Sequence, residues 1–202
     1  MLARILFVVA CFFTFDGAAV AAEEAFAEVY AELSLRMPTP TLVVVCHAFG
    51  CSNQTHILLT TSDRARLSTL LAAGKVSPAA ERRAIAGAVQ WFERRIGPVA
   101  GTTQRVARAA TAESGVPGQM DCIDLSANNT SLFLVLMQLK LLHHHRPELP
   151  VSRGFLVDGR MPHTSAVLSE TKSGQRFAVD NWTRKYGELP EVMPLDEWRF
   201  AR

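Results

Sequence analysis

The amino-acid sequence predicts a single α+β domain in which helices pack on an antiparallel sheet. Apolar residues that recur every three or four positions predict one long helix after Pro78 and another after Asp121. Short β-branched runs between polar turn residues predict strands on both sides of these helices. With 202 residues, of which 49% are hydrophobic, the chain can bury one core and is too short to require two domains.

Charge is balanced along the chain. There are 21 Lys and Arg residues against 19 Asp and Glu residues, which gives a formal net charge of +2 with both signs interspersed. A nucleic-acid or anionic-membrane partner normally requires clustered basic residues. We therefore expect no nucleic-acid partner and no membrane contact of the mature chain, and the composition carries no information about the oligomeric state.

The first residues are typical of an export signal. Arg4 precedes an apolar run that ends at Phe15, and Ala19-Val20-Ala21 is a small-residue cleavage sequence. The run is shorter than the ~20 apolar residues that a membrane-spanning helix needs, although an uncleaved anchor is the alternative. We therefore predict a signal peptide over residues 1–22 and one mature domain over residues 23–202, located in a bacterial periplasm or secreted.

An odd number of cysteines would remain in the mature chain. Cys11 leaves with the signal peptide, and Cys46, Cys51 and Cys122 remain in an oxidising compartment. Gly50 permits the tight turn that would bring the sulfurs of Cys46 and Cys51 together, so we predict a disulfide between them. Cys122 is then an unpaired thiol, and such a thiol is buried, bridges to another molecule or acts as a nucleophile.

A metal site is the alternative for the same segment, with Cys46, His47, Cys51 and His56 as ligands. It is disfavoured because the surrounding β-rich pattern needs no metal to fold and no second cysteine pair completes the set. We therefore predict neither a metal nor a cofactor. A small structural protein that depends on a disulfide or metal around Cys46 and Cys51 is the weakest functional hypothesis.

The remaining patterns predict the following elements in chain order. An amphipathic segment, a two-stranded unit and three helices come first, and strands that include a hairpin come last. Their predicted ranges are 24–36 for the segment, 42–45 and 56–60 for the first strands, 62–73, 78–97 and 122 to the HHHRP sequence for the helices, and 153–157, 163–169 and 176–179 for the last strands. Residues 97–118 are predicted to form a loop that lines a cleft, with a short helix over 104–112.

Cys122 is predicted to lie at the start of its helix. Asp121 is a good N-cap, which places Cys122 at the first helical position. Unpaired backbone N–H groups at that position favour an anion such as a thiolate, but the charges of Asp121 and Asp124 oppose it. Activation therefore requires a histidine, because an imidazolium pairs with the thiolate and later delivers a proton to the leaving group.

His163 and Asp180 are the best candidates for a histidine and a carboxylate that orients it. His163 opens one predicted strand and Asp180 closes the next. A turn around Thr171-Lys172 would place them directly opposite on one face. A turn on Ser173-Gly174, which turn preference slightly favours, would place Asp180 opposite Val167, about 13 Å along the strand from His163. We adopt the first register because it gives the two polar residues a shared role.

Three short motifs occur in a recognisable order: DCID at a helix start, PHTSAV on a strand and VDNW on the next strand. This order resembles the transglutaminase-like branch of the papain-like fold. The closest resemblance is to the bacterial transglutaminase-like cysteine proteinases, which are periplasmic proteins with a Cys-His-Asp triad. It covers roughly residues 118 to 198 and implies Cys122 as nucleophile, His163 as general base and acid, and Asp180 as orienting residue. Gln119 would supply an oxyanion donor with the Cys122 backbone N–H, or else bond the loop.

One departure from the resembling family concerns calcium. Calcium-dependent members carry acidic residues on both sides of the cysteine, whereas this chain has Asp121 on one side and Ile123 on the other. Calcium dependence is therefore not predicted. The functional hypothesis is an exported cysteine peptidase that transfers the acyl group of a protein or peptide amide in the cell envelope, first to Cys122 and then to water or an amine. The alternative is a non-catalytic envelope binding module that keeps the fold.

Overall fold

The computed structural model describes residues 16–154 and 162–201, with the side chains of residues 16–19 excepted. Helices and sheets mix along the chain, which confirms the predicted α+β class. The elements are α1 (Asp16–Glu32), β1 (Leu42–His47), β2 (Asn53–Leu58), α2 (Thr61–Ala72), α3 (Pro78–Ala100), α4 (Cys122–Gln138), β3 (His145–Arg153), β4 (His163–Glu170), β5 (Arg176–Asp180), β6 (Glu191–Pro194) and α5 (Leu195–Phe200).

Two antiparallel sheets flank α4. The larger sheet has the strand order β3-β4-β5-β6, and the smaller one is the β1-β2 pair. Apolar side chains of α4, including Leu132, Phe133 and Leu136, join those of β1, β4 and β5 in one buried cluster. Burial of this cluster removes a large apolar area from water and holds α4 against the sheet. The predicted stripe of α3 belongs to the same cluster and consists of Ile85, Ala88, Val89, Phe92 and Ile96.

The end of α3 differs from the prediction of a stop at Gly97-Pro98. The helix continues to Ala100 and contains Pro98. A proline removes the N–H that would bond the carbonyl four residues earlier, which here is that of Arg94. The hydroxyl of Tyr186 donates to this carbonyl instead, at 3.3 Å. Gly97 provides the space, because a Cβ there would lie 2.5 Å from the Tyr186 hydroxyl oxygen.

Helix α4 ends at Gln138, earlier than the predicted end in the HHHRP sequence. Glu81 of α3 is fully buried and accepts hydrogen bonds from the backbone N–H groups of His143 and His144 at 2.6 and 2.8 Å. Its carboxylate also contacts Nδ1 of His145 at 2.7 Å. These contacts draw the histidine segment onto α3, so the chain starts β3 there instead of continuing the helix.

Several other predicted boundaries are wrong. The strand predicted over 153–157 is observed over 145–153, with residues 155–157 outside the described part of the chain. The short helix predicted over 104–112 is absent from these described residues, where only a 3-10 turn at 111–113 forms. Neither β6 nor α5 was predicted, because each is too short to show a clear period.

The predicted signal peptide can be compared with the structure only in part. Residues 1–15, which include Arg4, Cys11 and the apolar run, lie outside the described residues. Helix α1 continues across the predicted cleavage sequence at residues 19–21. Among the described residues, none of the helices has the length and apolar content needed to span a bilayer.

Arg105 connects the loop before α4 both to α3 and to the loop that follows β5. The side chain of Arg105 is 0% exposed and pairs with Glu93 of α3, whose side chain is 4% exposed. The Arg105 guanidinium also donates to the backbone carbonyls of Asn181 and Arg184 at 3.2 and 2.8 Å. Arg105 therefore fixes the segment before α4 relative to the segment that follows Asp180.

Replacing Arg105 by Met is expected to lower the free energy of unfolding by about 3–5 kcal/mol, because the Glu93 carboxylate would stay buried without its partner. Urea denaturation at pH 7 measures the change. Arg146→Met is the matched control, since the Arg146 side chain is 64% exposed in its ion pair with Glu148. A surface pair of this kind contributes up to about 1 kcal/mol. Equal losses in both variants would contradict a structural role for Arg105.

Candidate active site

The start of α4 has the predicted form. The Asp121 carboxylate accepts a hydrogen bond from the Asp124 backbone N–H at 2.8 Å, and the Asp124 carboxylate accepts one from the Asp121 N–H at 3.2 Å. This reciprocal capping box satisfies N–H groups that the helix leaves unpaired. Cys122 occupies the first helical position, and its thiol is free and half-buried.

The predicted disulfide between Cys46 and Cys51 is present. Both sulfurs are therefore used, and the alternative metal site with His47 and His56 is not formed. Among the described residues, the potential metal ligand that lies close to the two sulfurs is the carboxylate of Asp124. The disulfide thus belongs to the surroundings of the α4 N-terminus.

The loop closed by this disulfide is bound to the α4 cap. Residues 48–51 all have left-handed backbone, with φ between 57° and 73°. This backbone turns successive N–H groups toward the same side, as in an anion-binding nest. The N–H groups of Phe49 and Cys51 donate to Asp124 at 2.8 and 2.7 Å, and that of Gly50 donates to Asp121 at 3.0 Å. The disulfide loop therefore holds the capping carboxylates in place.

The Asp124 carboxyl group titrates unusually for an aspartate. Burial, together with the neighbouring charge of Asp121, raises the pKa of Asp124 to about 7, although the backbone N–H groups of Cys51, Phe49 and Asp121 act to lower it. At neutral pH, Asp124 is therefore only partly ionised. The negative charge that would oppose a thiolate at Cys122 is correspondingly weaker than two ionised aspartates would produce.

The side chains of His163 and Asp180 meet, but the predicted strand register is wrong. Ala166 pairs with Val179 and Ser169 pairs with Arg176, so neither of the two turns considered is formed. Continued by one step, this register places Asp180 level with Ser165, two residues from His163 on the same face. Diagonal neighbours of this kind are within reach of long side chains. Nε2 of His163 and Oδ2 of Asp180 lie 2.5 Å apart.

Three donors converge on the Asp180 carboxylate. Because an ionised carboxylate only accepts hydrogen bonds, Nε2 of His163 is the donor. The backbone N–H of Trp182 donates to Oδ1 at 3.0 Å, and the indole N–H of Trp198 donates to Oδ2 at 3.0 Å. Burial acts to raise the pKa of Asp180, but the bond to His163 and the other donors hold it below its usual value. Asp180 is thus an ionised carboxylate in a buried site.

The Cys122 thiol faces the same imidazole. Burial acts to lower the pKa of His163, but the contacts with Asp180 and then Cys122 raise it to about 9. With Nε2 bonded to Asp180, the nitrogen left for the sulfur is Nδ1, which is buried and makes no hydrogen bond of regular geometry to the described residues. Trp182 covers the ring, with 4.6 Å between ring centroids. The arrangement can exchange a proton between sulfur and imidazole after a small adjustment.

Gln119 has the loop-bonding role that was one of its two predicted roles. Its side-chain oxygen accepts from the Val106 N–H at 3.0 Å, and its Nε2 donates to the Gln104 carbonyl at 3.1 Å. The backbone carbonyl of Gln119 accepts a hydrogen bond from the backbone N–H of Ala48, in the disulfide loop, at 2.6 Å. One of the two hydrogens of Nε2 is therefore used in the bond to the Gln104 carbonyl. The second hydrogen could still donate to an oxyanion, so that role of Gln119 stays a prediction.

Two asparagines of α4 that the sequence analysis missed hold the helix in the site. Asn128 binds both polar backbone atoms of Cys46, at 2.8 and 2.9 Å. Asn129 donates to the side chain of Asn181 at 3.0 Å and to the carbonyl of Val179 at 3.3 Å. Two adjacent amide side chains in the interior of a predicted core helix were the available signal, because buried polar groups need partners.

The fold and site define an α+β protein in which a half-buried thiol at a helix N-terminus faces a buried His-Asp pair. Comparisons with protein-family models, curated proteins and solved structures found no match to this chain. Its function is therefore argued from the site.

Removing the disulfide by the double substitution of Cys46 and Cys51 with Ala is expected to lower the free energy of unfolding by about 2 kcal/mol, the chain-entropy estimate for so short a loop. Thermal and urea denaturation with and without dithiothreitol measure the effect. The reductant should destabilise the wild type by a similar amount and leave the double variant unchanged. A wild type that is insensitive to complete reduction would contradict this role of the loop.

Replacing His163 by Gln is expected to change how stability depends on pH. A pKa of about 9 in the folded protein against 6.5 when unfolded means that the protonated ring stabilises the fold below pH 6.5. That contribution, on the order of 3 kcal/mol, is lost as the pH rises to about 9. Urea denaturation between pH 6 and 9 should show this loss in the wild type, whereas His163→Gln should keep only the smaller change that Asp124, with its pKa of about 7, contributes to both proteins. Parallel pH profiles of the two proteins would refute the linkage.

Proposed function

We propose that the protein is an exported cysteine-dependent acyl-transfer enzyme, a peptidase that acts on protein or peptide amides. Cys122 is the nucleophile, His163 the general base and acid, and Asp180 the residue that orients His163. The observation that carries the proposal is the buried contact of 2.5 Å between His163 and Asp180, together with the contact of the free Cys122 side chain with the same imidazole. A thiol, an imidazole and a carboxylate in this order are the components of a nucleophilic triad.

In the resting site, the proton of the Cys122 thiol is held on Nδ1 of His163, so that a thiolate is paired with an imidazolium. In the first half-reaction, the thiolate attacks the carbonyl carbon of the amide, and the carbonyl oxygen becomes an oxyanion. Protonated His163 then delivers its proton to the amide nitrogen, the C–N bond breaks, and the amine product leaves a thioester on Cys122. In the second half-reaction, His163 removes a proton from water, the oxygen of which attacks the thioester. The C–S bond breaks, the acid leaves, and the Cys122 thiolate is again paired with protonated His163. An amine in place of water would give transamidation.

The charge distribution supports these roles. Asp180 holds Nε2 of His163 as a donor and leaves Nδ1 for the sulfur. The raised pKa of His163, about 9, favours an imidazolium at neutral pH, which is the partner that a thiolate needs. The backbone N–H of Cys122 is at the first helical position, where it lacks an acceptor within the helix. It is therefore a candidate donor to the oxyanion, with Gln119 as the second.

The proposal includes the papain-like, transglutaminase-like fold, with α4 as the nucleophile helix. It is supported by the packing of α4 on β4 and β5, the strands that carry His163 and Asp180. The position of Cys122 at the first residue of α4 is consistent with it as well. The Cys46–Cys51 disulfide supports a periplasmic or secreted location, because such bonds persist in oxidising compartments. Proteins or peptides of the cell envelope are then the available amides.

A non-catalytic binding module with the same fold is the second candidate. Two observations favour it. Nδ1 of His163 makes no regular hydrogen bond to the described residues, and Nε2 of Gln119 already donates to a loop carbonyl. A module of this kind would keep the thiol without activating it. The two candidates therefore differ in the reactivity of Cys122 in the folded protein.

We expect iodoacetamide to modify Cys122 in the folded protein at pH 7, and His163→Ala to slow this reaction about tenfold or more, because the thiolate loses its imidazolium partner. Intact-mass spectrometry follows the modification, and Cys122→Ala identifies the site. A cooperative melting transition above the temperature of the assay shows that His163→Ala is folded, and His56→Ala controls for loss of a histidine outside the site. Equal rates in wild type and His163→Ala, or labelling only after unfolding, would favour the binding module.

A further inference from the structure

Trp198 connects the short helix α5 to the proposed triad. It lies in the six-residue helix Leu195–Phe200 and is 1% exposed. Its ring packs with Val167, Ala178 and Leu195 in a small cluster of its own, outside the main core. The N–H of a buried tryptophan that served only for packing could donate a hydrogen bond to any nearby acceptor. Here the acceptor is the carboxylate that orients His163.

The indole of Trp198 shares one oxygen with His163. Nε1 of Trp198 donates to Oδ2 of Asp180 at 3.0 Å, and Nε2 of His163 reaches the same atom at 2.5 Å. The other oxygen, Oδ1, accepts from the backbone N–H of Trp182 at 3.0 Å. The two tryptophans therefore hold opposite oxygens of one carboxylate, which prevents rotation about its Cβ–Cγ bond. With that rotation blocked, Oδ2 stays directed at His163.

The same two residues enclose the imidazole. The ring centroids of Trp182 and Trp198 lie 4.6 and 5.5 Å from that of His163, at interplanar angles of 39° and 42°. Apolar ring faces on the imidazole keep water away from the His163–Asp180 bond, and an electrostatic contact is stronger where water is excluded. The bond is thus protected by a residue from a helix that carries no member of the triad.

Arg153 of β3 fixes α5 in this position. Its guanidinium lies 4.5 Å from the centroid of the Trp198 ring and donates to the backbone carbonyls of Trp198 and Ala201. Arg153 is also the residue of β3 that pairs with His163 across the sheet. The position of α5 is therefore tied to the strand position next to the catalytic histidine.

We propose that Trp198 is a positioning residue of the Cys122 site, which holds the Asp180 carboxylate toward His163 and excludes water from the bond between them. This inference rests on the proposed acyl-transfer function. It assigns to α5 a role in the site, although no residue of α5 lies near Cys122 in the sequence.

The first test uses Trp198→Phe, which keeps an aromatic ring and deletes the N–H. The titration midpoint of His163, read by NMR from its ring resonances, should fall toward the ordinary value near 6.5, since Asp180 is less firmly held and water reaches the bond. The groups that face His163 are Asp180 from β5, Cys122 from α4 and Arg153 from β3, and the substitution leaves all three in place. Iodoacetamide labelling of Cys122 should slow about tenfold.

Trp91→Phe is the matched control, because Trp91 is a partly buried tryptophan of α3 that packs against the main core. In Trp91→Phe, the titration midpoint of His163 and the labelling rate of Cys122 should equal those of the wild type. An unchanged midpoint and rate in Trp198→Phe would overturn the inference even if the wild-type thiol is reactive. Conversely, the midpoint can be measured in a protein whose thiol is inert, so failure of the proposed function is recognised separately.

A second test needs no folded variant. In the wild type, the indole Nε1–H resonance of Trp198 should shift with the same midpoint as the His163 ring, because both donors share Oδ2 of Asp180. If Trp198→Phe folds, the indole resonance is assigned by its absence from the spectrum of that variant. If the variant does not fold, the resonance is assigned in the wild type by through-space contacts with Asp180. A Trp198 resonance that stays constant through the His163 titration would overturn the inference.

Discussion

The structure depends on the polar side chains that α4 carries on its buried faces. Asp124 accepts three backbone N–H groups at the helix N-terminus, two of them from the disulfide loop. Asn128 binds the backbone of Cys46 on one side, and Asn129 binds the segment after β5 on the other. An apolar helix face tolerates small rotations, whereas paired hydrogen bonds do not. These contacts therefore set the rotation of α4 and with it the direction of the Cys122 thiol.

Three of the buried carboxylates, those of Asp180, Glu81 and Asp124, titrate differently because their partners differ. Asp180 meets an imidazole and two N–H donors, and its pKa falls despite burial. Glu81 meets a histidine and two backbone N–H groups, and its pKa also falls. Asp124 has only neutral N–H donors and the repelling charge of Asp121, so its pKa rises to about 7. Burial alone disfavours each charge, and the charge of the partner decides the outcome.

Local sequence patterns predicted much of the fold, and the failures have specific causes. The start of α4 after Asp121, the start of α3 at Pro78, the apolar stripe of α3 and the Cys46–Cys51 bridge were predicted correctly, because all depend on residues close together in the chain. The predicted stop of α3 failed because Tyr186, far away in sequence, supplies the donor that Pro98 removes. The end of α4 was misjudged for a similar reason, since Glu81 captures the following segment. Tyr186 and Glu81 are both far in sequence from the helix ends that they affect, so the sequence around those ends does not indicate them.

By itself, the sequence determined the α+β class, where the helix of Cys122 begins, and which thiol stays unpaired, because capping, periodicity and short cysteine spacing are local properties. It also singled out His163 and Asp180, although with the wrong strand register. Only the tertiary structure decided how these two side chains meet, diagonally on one sheet face. It alone brought Trp198 onto the same carboxylate, because contacts between distant segments depend on how whole elements pack, and a six-residue helix carries too few residues to show which face it buries.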